Sequence, residues 1–152
     1  MKKTRLLLWL YGLVMLWLLF GQRMEAWGAE NYLDALRERI NFVPFATIER
    51  FLWVLKNSRE RGLLLHAVIN LAGNVVMFVP LGLLLPMLWK PLRQFWMYLG
   101  VLLSLLVMVE LLQLVTLLGS CDVDDLILNL AGGGCGYVLW WIWEKFHRNN
   151  KK

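Results

Sequence analysis

Four long apolar runs divide this chain: Leu6 to Phe20, Leu63 to Trp89, Phe95 to Leu118 and Leu126 to Trp143. An α-helix needs roughly 20 residues to cross the hydrocarbon core of a bilayer. The pattern therefore predicts transmembrane helices over about 6–21, 63–89, 95–118 and 126–143. The second run is the longest, and tilt or a kink at Pro80 absorbs its surplus. Between the first two runs, residues 22–62 are mixed in polarity but not patternless. Tyr32, Leu33, Leu36 and Ile40 recur at helical spacing, and Ile48, Phe51, Leu52 and Leu55 do so again. Both stretches read as amphipathic helices lying on the outer membrane surface. Asn41-Phe-Val-Pro-Phe-Ala-Thr47 interrupts them, because Pro44 pushes Val43 out of the helical region, and it leaves two Phe as interface anchors. The expected fold class is all-α: a polytopic integral membrane protein forming one domain over residues 1–152, with four transmembrane helices in a bundle. An external segment of amphipathic interfacial helices joins the first to the second.

Composition agrees, since 59% of the residues are hydrophobic and only 18% charged, most of the apolar ones gathered in the four runs. The net charge of +5 is explained by basic residues next to anionic lipid, and nothing in the chain reads nucleic acid. Lys and Arg cluster before the first run, in the link at Lys90 and Arg93, and after Trp143, whereas none lies between Leu118 and Leu126. That distribution places both termini in the cytoplasm of a bacterial cell membrane, although residues 22–62 carry seven basic residues to the outside. The first run, preceded by Lys2, Lys3 and Arg5, has some features of a secretory signal, with Ala26-Trp27-Gly28 as a cleavage-like site. Bulky Trp9 and Trp17 and the intervening Gly21-Gln22-Arg23 suit a retained anchor better. Cys121 and Cys135 would stand about 21 Å apart along a continuous helix, too far to pair. No Cys or His spacing suits a metal, and no cofactor is expected.

Polar residues inside the apolar runs carry the functional signal. Glu110 interrupts the third run, and a carboxylate there must face the bundle interior or a wet cavity with partners. Gln113 follows about one turn later on the same face. In the second run His66, Asn70 and Asn74 form one stripe; amides of this kind serve as interhelical glue at least as readily as ligand contacts, and His66 suits the interface. Asp122, Asp125, Asn129, Gly132 and Gly136 form a third stripe, with spacings of three, four, three and four. Gly132 and Gly136 make a GxxxG that admits a neighbouring backbone, a packing device more than a phosphate cradle. Asp122, Asp124 and Asp125 also suit the positive end of a helix dipole. At 1.5 Å per residue, Asn70, Asn74, Glu110 and Asn129 all fall in the outward half of the membrane, while the inward half is almost wholly apolar. A polar cavity opening outward is the economical reading.

The motifs Asn41-Phe-Val-Pro-Phe, Asn70-x3-Asn74-x3-Phe78-x-Pro80-Leu-Gly82, Glu110-x2-Gln113 and Asp122-Val-Asp124-Asp125-Leu-Ile-Leu-Asn129-x2-Gly132-x3-Gly136, taken in order, resemble those of the VanZ-like membrane proteins. The match covers roughly residues 37 to 143. Many members carry an Arg near the start of the Asp segment, where this chain has Gly119-Ser120-Cys121. The resemblance implies low-level resistance to teicoplanin, a lipid-bearing glycopeptide, without implying a reaction. It also directs attention to the external motif Asn41, Pro44, Phe45 and Thr47. Two function classes follow. A non-enzymatic binding or interaction protein would hold an amphiphile, a lipoglycopeptide or a lipid-linked wall precursor, in the outward cavity. An intramembrane enzyme acting on a lipid head group would use Glu110, Asp122 and Asp125 as metal ligands or as acid and base. The first is favoured, because no nucleophile with an adjacent base is visible. Membrane lipid is the expected surrounding partner, and an oligomer remains open.

Overall fold

A computed structural model describes residues 2–21 and 32–149. In chain order it contains α1 (Lys2–Leu16), continued by a π-helical turn at Trp17–Gly21, then α2 (Tyr32–Glu38), β1 (Ile40–Asn41), α3 (Ala46–Asn57) and α4 (Arg61–Leu88). A 3₁₀ turn at Lys90–Arg93 leads to α5 (Phe95–Val115), β2 (Cys121–Asp122) and α6 (Val123–Asn149). Four helical stretches, Lys2–Gly21, Arg61–Leu88, Phe95–Val115 and Val123–Asn149, are long and apolar enough to cross a membrane. The protein is thus a helical, multi-pass membrane protein. At 28 residues α4 is about 42 Å long, more than the ~30 Å hydrocarbon core. It runs on through Pro80 and Pro86.

The centre of the bundle is the pair α4 and α6, and its closeness follows from glycine. A Cβ on Gly132 would lie 2.0 Å from the Val75 carbonyl oxygen, one on Gly136 2.0 Å from that of Val79, and one on Gly82 2.1 Å from that of Gly133. No side chain fits there, so the two backbones touch. Around this seam Phe78, Leu81, Leu85, Tyr98, Leu102, Leu106, Tyr137 and Trp140 form the core. Tyr98 reaches across from α5 to the Gly133 carbonyl at 2.7 Å, and Tyr137 from α6 to that of Arg93 at 2.6 Å. Both hydroxyls satisfy themselves on backbone oxygen inside an apolar bundle. The helix α1 is the least embedded, with Met15 as its buried residue. Its polar ties are Tyr11 to the Met77 carbonyl at 2.8 Å and Gln113 to the Leu19 carbonyl at 3.1 Å.

Several boundaries differ from the sequence reading. The third span ends at Val115 and not at Leu118. The chain then turns through Leu117, which has φ 55°, and its carbonyl is taken by the Arg39 guanidinium. The fourth starts at Val123 and continues to Asn149. Ile40, expected on the apolar face of a first surface helix, lies beyond α2 in β1. There β1 and β2 pair in parallel, Ile40 opposite Cys121 and Asn41 opposite Asp122, a short strand pairing absent from the all-α expectation. In α3 the apolar positions divide between two faces: Thr47 and Phe51 are buried, and the Phe51 ring meets the His66 ring edge-on at 5.5 Å. Leu52, Trp53 and Leu55 are exposed. Residues 22–31 of the expected external segment, including Ala26-Trp27-Gly28, lie outside the described residues.

Candidate functional site

At the end of the bundle where α4 and α6 begin and α5 finishes, two segments about 80 residues apart in sequence are tied into one buried polar knot. Strand pairing brings Asn41 beside Asp122. The Asp122 carboxylate then accepts the Thr47 hydroxyl at 2.7 Å and the Asn41 amide at 3.3 Å, and that same amide donates to the Thr47 hydroxyl at 3.1 Å. Glu110, only 6% exposed, accepts the Asp122 backbone N–H at 3.3 Å. The intramembrane carboxylate is thereby joined to the link after its own helix.

Asp124 is the hub. Fully buried, it accepts backbone N–H groups from Phe45, from Thr47 at 2.8 Å and from Ile48 at 3.0 Å, while its own N–H donates to Asp122 at 2.9 Å. The first turn of any helix leaves N–H groups without partners, normally met by a local capping side chain. Here Phe45 stands at the cap position of α3 and offers none. A carboxylate from the start of α6 caps α3 instead. It also holds Phe45 at φ 67°, a left-handed conformation unusual for a bulky residue. Pro44 stays exposed, and Phe42, Val43 and Phe45 present apolar side chains outward beside the knot.

Below it, the α4 and α6 stripes meet. The Asn74 amide donates to the Asp125 carboxylate, and Asp125, Asn129, Gly132 and Gly136 follow one another along the face of α6 turned to α4. Asp122 precedes that helix in β2, so it does not belong to the helical stripe the sequence suggested. Asn70 and Asn129 each bury a side-chain oxygen with no hydrogen-bond partner among the described residues. Asn129 is 3% exposed. A buried unmet acceptor costs about 1–3 kcal/mol, so both amides are available to a donor entering between the helices. Gln113 is buried but turns to the Leu19 carbonyl in the π-helical turn after α1.

Two residues of the knot were not among the site candidates. Asp124 looked like an acidic residue at a helix start; the only sign of more was that three carboxylates in four positions exceed what a dipole needs. Arg39 donates to the carbonyls of Leu117 and of Gly119, the latter at 3.4 Å. It thus brings a guanidinium from the preceding segment to the loop where Gly119-Ser120-Cys121 lacks one. The Cys121 thiol is pushed up from its ordinary value by burial, then by the charges of Glu110 and Asp122. Cys121 and Cys135 are both free thiols. Among the described residues no three His, Cys, Asp or Glu side chains gather as a metal would require. Among the described residues, two cavities lie away from the knot: one of about 310 Å³, almost wholly apolar, between α1, α4 and α5, and one of about 570 Å³ at the far end of α6.

Four spanning helices with a linker clasped to the start of the last one by buried carboxylates define a polytopic helical membrane protein with a buried polar knot at one end. The VanZ/LLP1 family model matches residues 8–144, and the chain belongs to that family. The match takes in the first span as well as the motifs. Protein VanZ of Enterococcus faecium is similar to it, 30% identical over 150 residues, which is 98% of this chain and 80% of that protein. No solved structure matches the chain.

Proposed function

We propose that this is a non-enzymatic envelope protein of the bacterial cell membrane that holds an amphiphile at its knot end, which faces outward with both termini in the cytoplasm. One observation carries the reading. The two halves of the motif set, Asn41 to Thr47 and Asp122 to Asn129, converge on one site with polar groups buried and Phe42, Val43 and Phe45 exposed alongside. Such a surface offers hydrogen bonds to a head group and apolar contact to its acyl chain. The unmet oxygens of Asn70 and Asn129 lie below it, on α4 and α6, which the Asn74–Asp125 contact joins.

A lipid-bearing glycopeptide has that chemistry, and so do lipid-linked wall precursors. Expressed in a glycopeptide-sensitive Gram-positive host, the protein should raise tolerance to teicoplanin more than to vancomycin. Each acyl CH₂ contributes about 0.8 kcal/mol to membrane partitioning, which concentrates the lipid-bearing drug at the surface where the knot lies. Asp125→Asn and Asn129→Leu should abolish the effect at unchanged protein level and leave wall-precursor composition unaltered. Equal protection against both drugs, or protection that survives both substitutions, refutes the assignment.

A further inference from the structure

The opposite end of the bundle carries a second polar feature unrelated to the knot. A cavity of about 570 Å³ lies where the α4–α5 link meets the last turns of α6, lined by Arg93, Trp140, Trp141, Glu144, Lys145 and Arg148, with Asn149 at its edge. Three cations thus face one carboxylate. Arg93 approaches Glu144 at 3.5 Å, longer than a hydrogen bond, and its Nε donates to the Pro86 carbonyl at 3.2 Å. That leaves guanidinium donors free for a further acceptor. Lys145 lies 5.1 Å over the Trp141 ring, and Arg93 5.8 Å over that of Trp140.

Trp140 supplies the independent sign of a missing acceptor. It is 4% exposed, and its indole N–H is buried with no hydrogen-bond partner among the described residues. Indole nitrogen only donates. Trp140 lines the cavity with Arg93 over its ring, so an anion drawn to Arg93 comes next to this indole. Depth decides what kind of anion. Trp89, Trp96, Trp141 and Trp143 are all exposed around this same end, a belt of the kind that sits at the level of lipid head groups. Basic pockets between helices at that level select anionic lipids.

We propose that this cavity is a binding site for an anionic phospholipid, its phosphodiester held by Arg93, Lys145, Arg148 and the Trp140 N–H, its glycerol and upper acyl chain against Trp141. The site is independent of the knot and of any glycopeptide. The test uses the full chain purified in neutral detergent, titrated with phosphatidylglycerol, phosphatidylcholine or inorganic phosphate and read by native mass spectrometry as retained adducts. One phosphatidylglycerol should be retained at least tenfold more tightly than phosphatidylcholine. The Lys145→Gln, Arg148→Gln double variant, changed near the α6 terminus, should keep its thermal melt without lipid yet lose most of this preference, since two cations that each favour an anionic lipid together account for up to about thirtyfold. Trp140→Phe, which keeps the ring and deletes the donor, should weaken retention severalfold; should it fail to fold, the double variant decides. Equal retention of the two lipids, or an undiminished preference in the double variant, overturns the proposal. Inorganic phosphate that displaces the lipid at equal concentration also overturns it, by showing a site for a free anion.

Discussion

Replacing Asp124 by Ala removes the acceptor for three backbone donors at once, those of Phe45, Thr47 and Ile48. The residue is fully buried, so bulk solvent does not reach these donors in the folded protein. Hydrogen bonds to a charged group contribute about 1.5–3 kcal/mol each, but three donors on one carboxylate do not add fully, and breaking a buried charged network costs about 3–5 kcal/mol. We expect a loss in that range. Asp124→Asn is nearly as damaging, since an amide turned to this site sets its own NH₂ against a backbone donor. Part of the loss has a specific origin: without its carboxylate, Phe45 has no reason to remain left-handed. Adding Phe45→Gly to Asp124→Ala should therefore recover about 1 kcal/mol, because glycine adopts that conformation freely. Hydrogen exchange in detergent reads the mechanism directly. The amides of Phe45, Thr47 and Ile48 should lose protection, while those in the middle of α4 keep theirs. Unchanged exchange at the three amides together with an unchanged melting temperature would refute Asp124 as the cap of α3.

Gly136→Ala should destabilise the bundle by about 1–3 kcal/mol, since its Cβ would sit 2.0 Å from the Val79 oxygen, whereas Gly134→Ala, with nothing within 4 Å, should be neutral or stabilising; equal effects in a detergent melt would dismiss the backbone-contact seam. The Cys121 thiol, raised by burial and then by Glu110 and Asp122, holds less thiolate at a given pH than an ordinary cysteine. Its maleimide reaction in a Cys135→Ser background should rise at higher pH than that of an exposed control thiol, and Glu110→Gln should move the profile down; an upward move would contradict the geometry. For the orientation, an impermeant maleimide on intact cells should modify a cysteine placed at the exposed Asn57 and spare one at Lys90, in a Cys121→Ser, Cys135→Ser background. Labelling at Lys90 would invert the topology.

The spans were legible because a bilayer imposes a length and an apolarity that few other folds demand, and the GxxxG seam because close helix approach admits no other residue at Gly132 and Gly136. Asn74 and Asp125 meeting between α4 and α6 follows from the two stripes that periodicity alone revealed. What periodicity could not give was direction across chain distance. Gln113 shares a face with Glu110, yet its amide goes to Leu19 in the turn after α1. Asp124 has local chemistry adequate for a helix start, so nothing in its neighbourhood announced that its donors lay 76 to 79 residues earlier. The end of α5 was misplaced for the same reason: Leu117 is apolar enough to continue a helix, and a distant Arg39 takes its carbonyl instead.

The distance between the halves of the knot also has a meaning in time. Asn41 and Thr47 leave the ribosome 75 to 81 residues ahead of the Asp122 that receives them. At about 5–20 residues per second, that is roughly 4 to 16 seconds during which the Phe45, Thr47 and Ile48 donors have no carboxylate. The clasp closes only when α6 has entered the membrane with its first residues on the side of α3. A chain that inserts its last helix the wrong way round leaves the first turn of α3 uncapped and Phe45 free to relax. The cap of α3 is thus supplied by a carboxylate that is made only after α4 and α5, so this turn is completed last.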